Sequence, residues 1–244
     1  MKLSPGIRRR LAGLQDRPLN YDPDTVDLSD PGPGWNIDDR FQALTGESPG
    51  APEPEGSFEI AARLIRGYEF ADPSLVRTYY DPQAPLQGRT MLLQLRALNL
   101  IGVFVGVRVN AVYEEDRRHE GREVHVFGWN YRTLEGHVER GQMDWEVWKW
   151  PDTGEVAFHV RAVSRPASIA NPIIRIGFFV LRGHERGVFL SSTDRRMREL
   201  TAIGLQGGDR GARIRDASDE LTARSIKDTE VHEELGRQAD RPRS

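Results

Sequence analysis

Five successive runs between Thr90 and Val163 alternate apolar with polar side chains, and a period of two sustained over so long a stretch demands a sheet with one buried face. Thr90 to Arg96 sets Met91, Leu93 and Leu95 against Thr90, Gln94 and Arg96. Val103 to Tyr113 places Val107, Val109, Ala111 and Tyr113 on one side. Glu123 to Leu134 does the same with Phe127, Trp129, Tyr131 and Thr133. In Gln142 to Trp150, Trp145 points away from Trp148 and Trp150, so the second face needs a cover too: the N-terminal segment, a second subunit or water. Glu155 to Val163 turns Val156, Phe158, Val160 and Ala162 one way and His159 and Arg161 the other. Gly136 to Gly141 and Pro151-Asp152-Thr153-Gly154 carry turn chemistry, so neighbouring strands should run antiparallel.

A sheet with one apolar face must bury it against another layer. The segment long enough to do so runs from Pro172 to about Ala202, with Asn171 as its N-cap and Pro172 at the first helical position. Ile173 to Leu181 is apolar nearly all round, which predicts burial on most sides. Gly177, Gly183 and Gly187 each cost about 1 kcal/mol in a helix interior, so they either kink it or admit the sheet closely. A shorter helix is expected from Phe58 to Tyr68, capped by Ser57, with Phe58, Ala61, Ala62 and Ile65 as its stripe. Trp35 to Leu44 reads as an edge strand, its face broken by Asp39. The fold class is therefore α+β, a curved antiparallel sheet wrapped around a long C-terminal helix.

The chain is 38% hydrophobic and 29% charged, a polar balance that arises at its ends. Residues 1–34 form a Pro-rich polar extension, 35–202 a single domain, and 203–244 a charged tail with too little apolar surface to offset its ordering entropy. A short helix from Asp228 to Arg237 is one that a partner would induce. Net charge is −3, and arginines are interleaved with carboxylates, as in Glu114 to Arg118, a run expected as a solvated loop or strand end. No nucleic-acid partner is expected. With no cysteine there is no disulfide framework and no thiolate metal site, which suits the cytoplasm. The apolar stretches Leu98 to Val107 and Ile173 to Leu181 reach about half of the roughly 20 residues that cross a bilayer. Met1 to Leu14 has no apolar core of the kind a secretory signal carries, and Gly207-Gly208 lacks the Gly-Lys-Ser/Thr of a phosphate loop.

The element order looks like the helix-grip fold of Bet v 1-like and START-like proteins, whose sheet often leaves a cavity under the helix. The stretch Tyr131-Arg132-Thr133-Leu134-Glu135-Gly136-His137-Val138-Glu139-Arg140-Gly141, followed by Ser164-Arg165-Pro166, resembles the domain-of-unknown-function family DUF1990 (UPF0548). That family's pattern is Tyr-Gly-Thr-Leu-Pro-Gly-His-x-Glu-x-Gly-Glu, later Ser-Arg-Pro. Arg132, Glu135 and Gln142 depart from it. The resemblance spans roughly residues 35–202, implies the same fold, and implies no activity.

Among side chains that carry chemistry, His137 and Glu139 stand first. One residue apart on a turn, a carboxylate can approach an imidazole, raise its pKa and hold its tautomer, or both side chains can simply cap the turn. Trp129 and Tyr131, with Trp145, Trp148 and Trp150, supply aromatic surface for an apolar ligand or for a core. Arg165 next to Pro166 suits an anion or a nearby Glu. A metal site would need His137 and Glu139 with His125 or His159, a weak pattern, and no cofactor is expected. Ser191-Ser192-Thr193 has no base at a spacing that activates a nucleophile. Three readings follow: a module holding a small apolar or amphipathic ligand at Trp129, Tyr131, His137, Glu139 and Arg165; a cyclase- or hydrolase-type enzyme using His137 and Glu139; and an interaction protein acting through its tail.

Overall fold

The computed structural model describes residues 3–97, 101–167, 172–206, 211 and 213–222, with backbone alone at 97, 101 and 172–185. The elements are α1 (Pro5–Ala12), a single 3₁₀ turn (Pro23–Thr25), β1 (Asn36–Ala43), α2 (Ser57–Gly67), β2 (Val76–Tyr79), β3 (Thr90–Ala97), β4 (Ile101–His119), β5 (Arg122–Thr133), β6 (Glu139–Lys149), β7 (Val156–Pro166) and α3 (Pro172–Gly204). The seven strands make one antiparallel sheet in the order β1-β7-β6-β5-β4-β3-β2. A meander from β2 to β7, an added edge strand β1 and a 33-residue terminal helix constitute the helix-grip arrangement. The alternation read from sequence holds through β3, β5, β6 and β7. The expected cap at Asn171 and the side chains of Ile173 to Leu181 lie outside the described residues, as do Gly207-Gly208 and Asp228 to Arg237.

Residues that pair across strands share a face, so the register assigns Val107, Val109, Tyr131, Met143, Trp145, Phe158 and Val160 to the inner side. Against them α2 buries Phe58, Ile60, Ala61, Ala62, Leu64 and Ile65, and α3 adds Leu190, Met197 and Leu200. The expectation for Val107 to Tyr113 is corrected here. A bulge between Val109 and Ala111 inserts one residue, so Ala111 and Tyr113 pair with Asn130 and Gly128 on the outer side. The Glu114 to Arg118 run also differs from a loop: it lies within β4 and pairs along its length with β5.

The cap of α2 departs from expectation as well. Gly56, not Ser57, is the N-cap, and it offers no side-chain acceptor. The carboxylate of Glu47 substitutes, accepting the Phe58 N–H at 2.7 Å and the Glu53 N–H at 3.0 Å. Its second oxygen receives the fully buried Lys149 ammonium at 2.5 Å, while Ala51 O accepts from the same ammonium at 2.9 Å. One carboxylate thereby ties the helix start to the last residue of β6.

The N-terminal extension covers part of the outer face. Leu11 and Leu14 are buried with Leu92 and Leu134. Leu19 bridges to Leu134, and Asn20 donates to the Glu139 carbonyl at 2.8 Å. Within the segment expected as a charged tail, 213–222 is helical, and Ile214 and Leu221, two turns apart, are buried in the main core. No described helix is long and apolar enough to cross a membrane.

Candidate functional site

The turn from β5 to β6 explains its glycines. Gly136 has φ 87° and Gly141 φ 149°, both left of the region that a side chain tolerates, and a Cβ on Gly141 would stand 2.0 Å from Val163 O. Between them His137 turns Nδ1 to the backbone, accepting the Glu139 N–H at 3.0 Å, which leaves the proton on Nε2. Burial pushes the imidazole down to about 4, outweighing the nearby carboxylate, so the expected upward shift is reversed and the ring is neutral at neutral pH. The Glu139 carboxylate points elsewhere, toward Arg186 of α3 at 3.3 Å.

Arg186 also pairs with Asp38 of β1 and donates to Ser164 Oγ of β7 at 2.8 Å. This guanidinium fastens the long helix to three strands. Tyr131 lies beside that cluster. Burial raises its phenol to about 12, with Tyr68 and Glu139 as its electrostatic neighbours. Trp129 is buried against α2 and donates its indole N–H to Ile65 O at 3.1 Å. Arg165 is on the other side of the sheet, its guanidinium 5.2 Å from the centre of the Trp35 ring. The structure therefore gathers Tyr131 and Glu139, leaves His137 in its turn and Trp129 in the core, and separates Arg165 from all of them.

The three histidines considered for a metal are also apart. His125 is on the inner side with Asp116 at 2.7 Å and Phe58 at 5.2 Å, and His159 is on the outer side. Among the described residues no three His, Asp or Glu side chains are placed to hold a metal ion.

The densest polar cluster is on the outer face, where Glu146 is buried. It accepts from His159 Nδ1 at 2.7 Å, Trp148 Nε1 at 2.7 Å, Tyr113 at 2.6 Å and Arg117 at 2.8 Å. Burial alone would raise its carboxyl, yet the bonds from His159 and Tyr113 and the Arg117 charge bring it down to about 2. His159 reaches Asp39 of β1 with its other nitrogen at 2.8 Å and stacks on Phe41 at 4.2 Å. One row away Asp144 has no such compensation: burial raises it to about 6, and the Glu146 charge adds to the rise.

An open groove lies where α2 leaves the β4–β5 pair. Its volume is about 510 Å³. Phe58, Ile60, Ala62 and Phe127 form the apolar floor, and Glu55, Glu59, Arg63, Arg66 and Glu114 the rim. Arg66 lies over the Phe127 ring at 3.9 Å and within 3.8 Å of Glu114. None of these residues stands out in the sequence reading. The available signal was the polar stripe of Glu59, Arg63 and Arg66 along α2, at i, i+4 and i+7 beside an apolar face.

The sequence model of the family described as "Domain of unknown function (DUF1990)" matches residues 21–189. No curated protein matches the chain in sequence. Among solved structures, the chain is similar to ginseng major latex-like protein 151 from Panax ginseng at 12% identity and TM-score 0.42, covering 71% of this chain and 99% of that one. It is similar to a hypothetical protein from Helicobacter pylori at 12% identity and TM-score 0.36, covering 67% and 88%. It is also similar to human STARD10 at 8% identity and TM-score 0.30, covering 79% and 80%.

Proposed function

The chain belongs to the DUF1990 family, and from the geometry of its groove we propose that it holds a small amphipathic ligand. The observation that carries this reading is the groove itself. Its volume of about 510 Å³ falls within the roughly 300–1,000 Å³ of small-molecule sites, with an aromatic and aliphatic floor and a charged rim. Phe58 and Phe127 supply apolar surface for the body of the ligand, while Arg63 and Arg66 face Glu55, Glu59 and Glu114 across the opening. A ligand with a compact apolar part and a polar end satisfies both. The alternative of His137 and Glu139 as an acid/base pair has less support, because the imidazole is bound to the turn backbone and the carboxylate faces Arg186.

The test is a titration of the full chain with 1-anilinonaphthalene-8-sulfonate, an amphipathic fluorophore, alongside native mass spectrometry for a co-purifying molecule. Glu59 is exposed, so Glu59→Trp fills the groove mouth at a stability change of within about 0.5 kcal/mol. Saturable binding that weakens about tenfold or more in this variant supports the proposal. Equal binding by the parent and the filled variant, or no binding by either, refutes it.

A further inference from the structure

Outer-face arginines have clear partners in most places. Arg117 meets Glu146, Arg132 donates to Gln142 at 3.0 Å, Arg161 donates to Leu28 O, and Arg108 donates to Leu14 O at 3.0 Å. Arg140 of β6 and Arg165 of β7 break this pattern. They are direct cross-strand partners, so their side chains project side by side from the same face. Like charges in that relation repel. Among the described residues neither has a carboxylate within ion-pairing distance, and the buried Nε of Arg140 has no hydrogen-bond partner. Burial, and then the charge of Arg165, holds the Arg140 guanidinium below its ordinary range, which shows that the two charges are felt.

The surroundings position these groups. Trp35 lies under the Arg165 guanidinium at 5.2 Å, and Tyr21 packs edge-on against Trp35 at 6.1 Å, fixing one of the two forks in a plane. Two half-buried guanidiniums that repel each other lack one thing, a shared anion.

We propose that Arg140 and Arg165 together bind a phosphate group, on the sheet face opposite the amphipathic groove. The charge matches: a phosphate monoester carries about −1.5 to −2 near neutral pH, against two fixed positive charges. The shape matches as well, since each planar guanidinium presents parallel N–H donors to two oxygens of the same group. A carboxylate would neutralise only one of the two. The group can be free in solution or carried at a membrane surface, and the two sources are separable by experiment.

The full chain is titrated calorimetrically with inorganic phosphate at constant ionic strength, and is sedimented with phosphatidylcholine vesicles with and without phosphatidic acid. Saturable binding to either is expected, with Arg165→Gln and Arg140→Gln each weakening it about tenfold and the double variant abolishing it. Phosphate binding alone assigns a soluble ligand. Vesicle binding that requires phosphatidic acid assigns a membrane-borne one. Without phosphate, the double variant unfolds at the same or higher urea concentration than the parent, because a repulsion has been removed. Absence of binding in both arms, binding retained by the double variant, or a double variant destabilised without phosphate overturns the assignment.

Discussion

Replacing Glu146 by glutamine keeps the side-chain shape and removes one charge from the outer face, which isolates what that carboxylate contributes. In the folded protein its pKa lies at about 2, against an ordinary value of 4.5. Each pKa unit corresponds to about 1.4 kcal/mol, so the charged form is favoured by folding by about 3 kcal/mol. The group is 4% exposed, so solvent screening removes little of this. A depressed carboxyl contributes its full stability above the unfolded value and loses it as pH falls through the folded one, placing the loss between about pH 4.5 and 2. The glutamine amide would also turn a donor toward groups that all donate: Trp148, Tyr113, His159 and Arg117. At pH 7 Glu146→Gln should therefore lose about 3–5 kcal/mol in urea unfolding, and its stability should vary less with pH in the acid window than that of the parent. A loss below about 1 kcal/mol, or an unchanged acid slope, would refute the assignment of the network's stability to this charge.

Asp144, held up at about 6, has the opposite sign: the folded state prefers its neutral form, so ionisation at pH 7 costs stability that returns as pH falls from about 6 toward 3.8. Asp144→Asn is expected to raise the urea midpoint at pH 7 by the equivalent of about 1–2 kcal/mol, and no gain would contradict the burial argument. Gly141→Ala puts a methyl 2.0 Å from Val163 O at φ 149°, so a loss of about 3 kcal/mol or more is expected, measured by thermal or urea unfolding. Lys149→Met leaves Glu47 buried without its cation and should cost about 3–5 kcal/mol. Adding Glu47→Gln to it should cost less than the sum of the two single changes by at least about 1 kcal/mol.

How far the sequence reveals this molecule depends on the range of each interaction. Strand alternation is local, so the faces of β3, β5, β6 and β7 and the length of α3 were legible. The extra residue at Asn110 was not, because a period of two carries no sign of a bulge, and every face assignment after it inverts. The cap of α2 was assigned to Ser57 because capping is usually local, whereas the acceptor comes from Glu47, eleven residues before Phe58. The Gly-His-x-Glu-x-Gly turn was visible as a pattern, and its glycines are required by the left-handed backbone. Its chemistry was not visible, since the partner of Glu139 is Arg186, in a stretch of α3 where charge looked like solvent exposure. The buried pair Ile214 and Leu221 was hidden by a composition reading that averages over mixed charge.

Arg186 gives the long helix an all-or-none attachment. A single side chain bridges β1, β6 and β7, so withdrawing it strips compensation from Asp38 and Glu139 in one movement. Graded loosening, contact by contact, is not available at this end of the molecule. Any passage of a guest beneath the helix there would have to proceed as a latch does, shut or released, with its rate set by how often one guanidinium lets go.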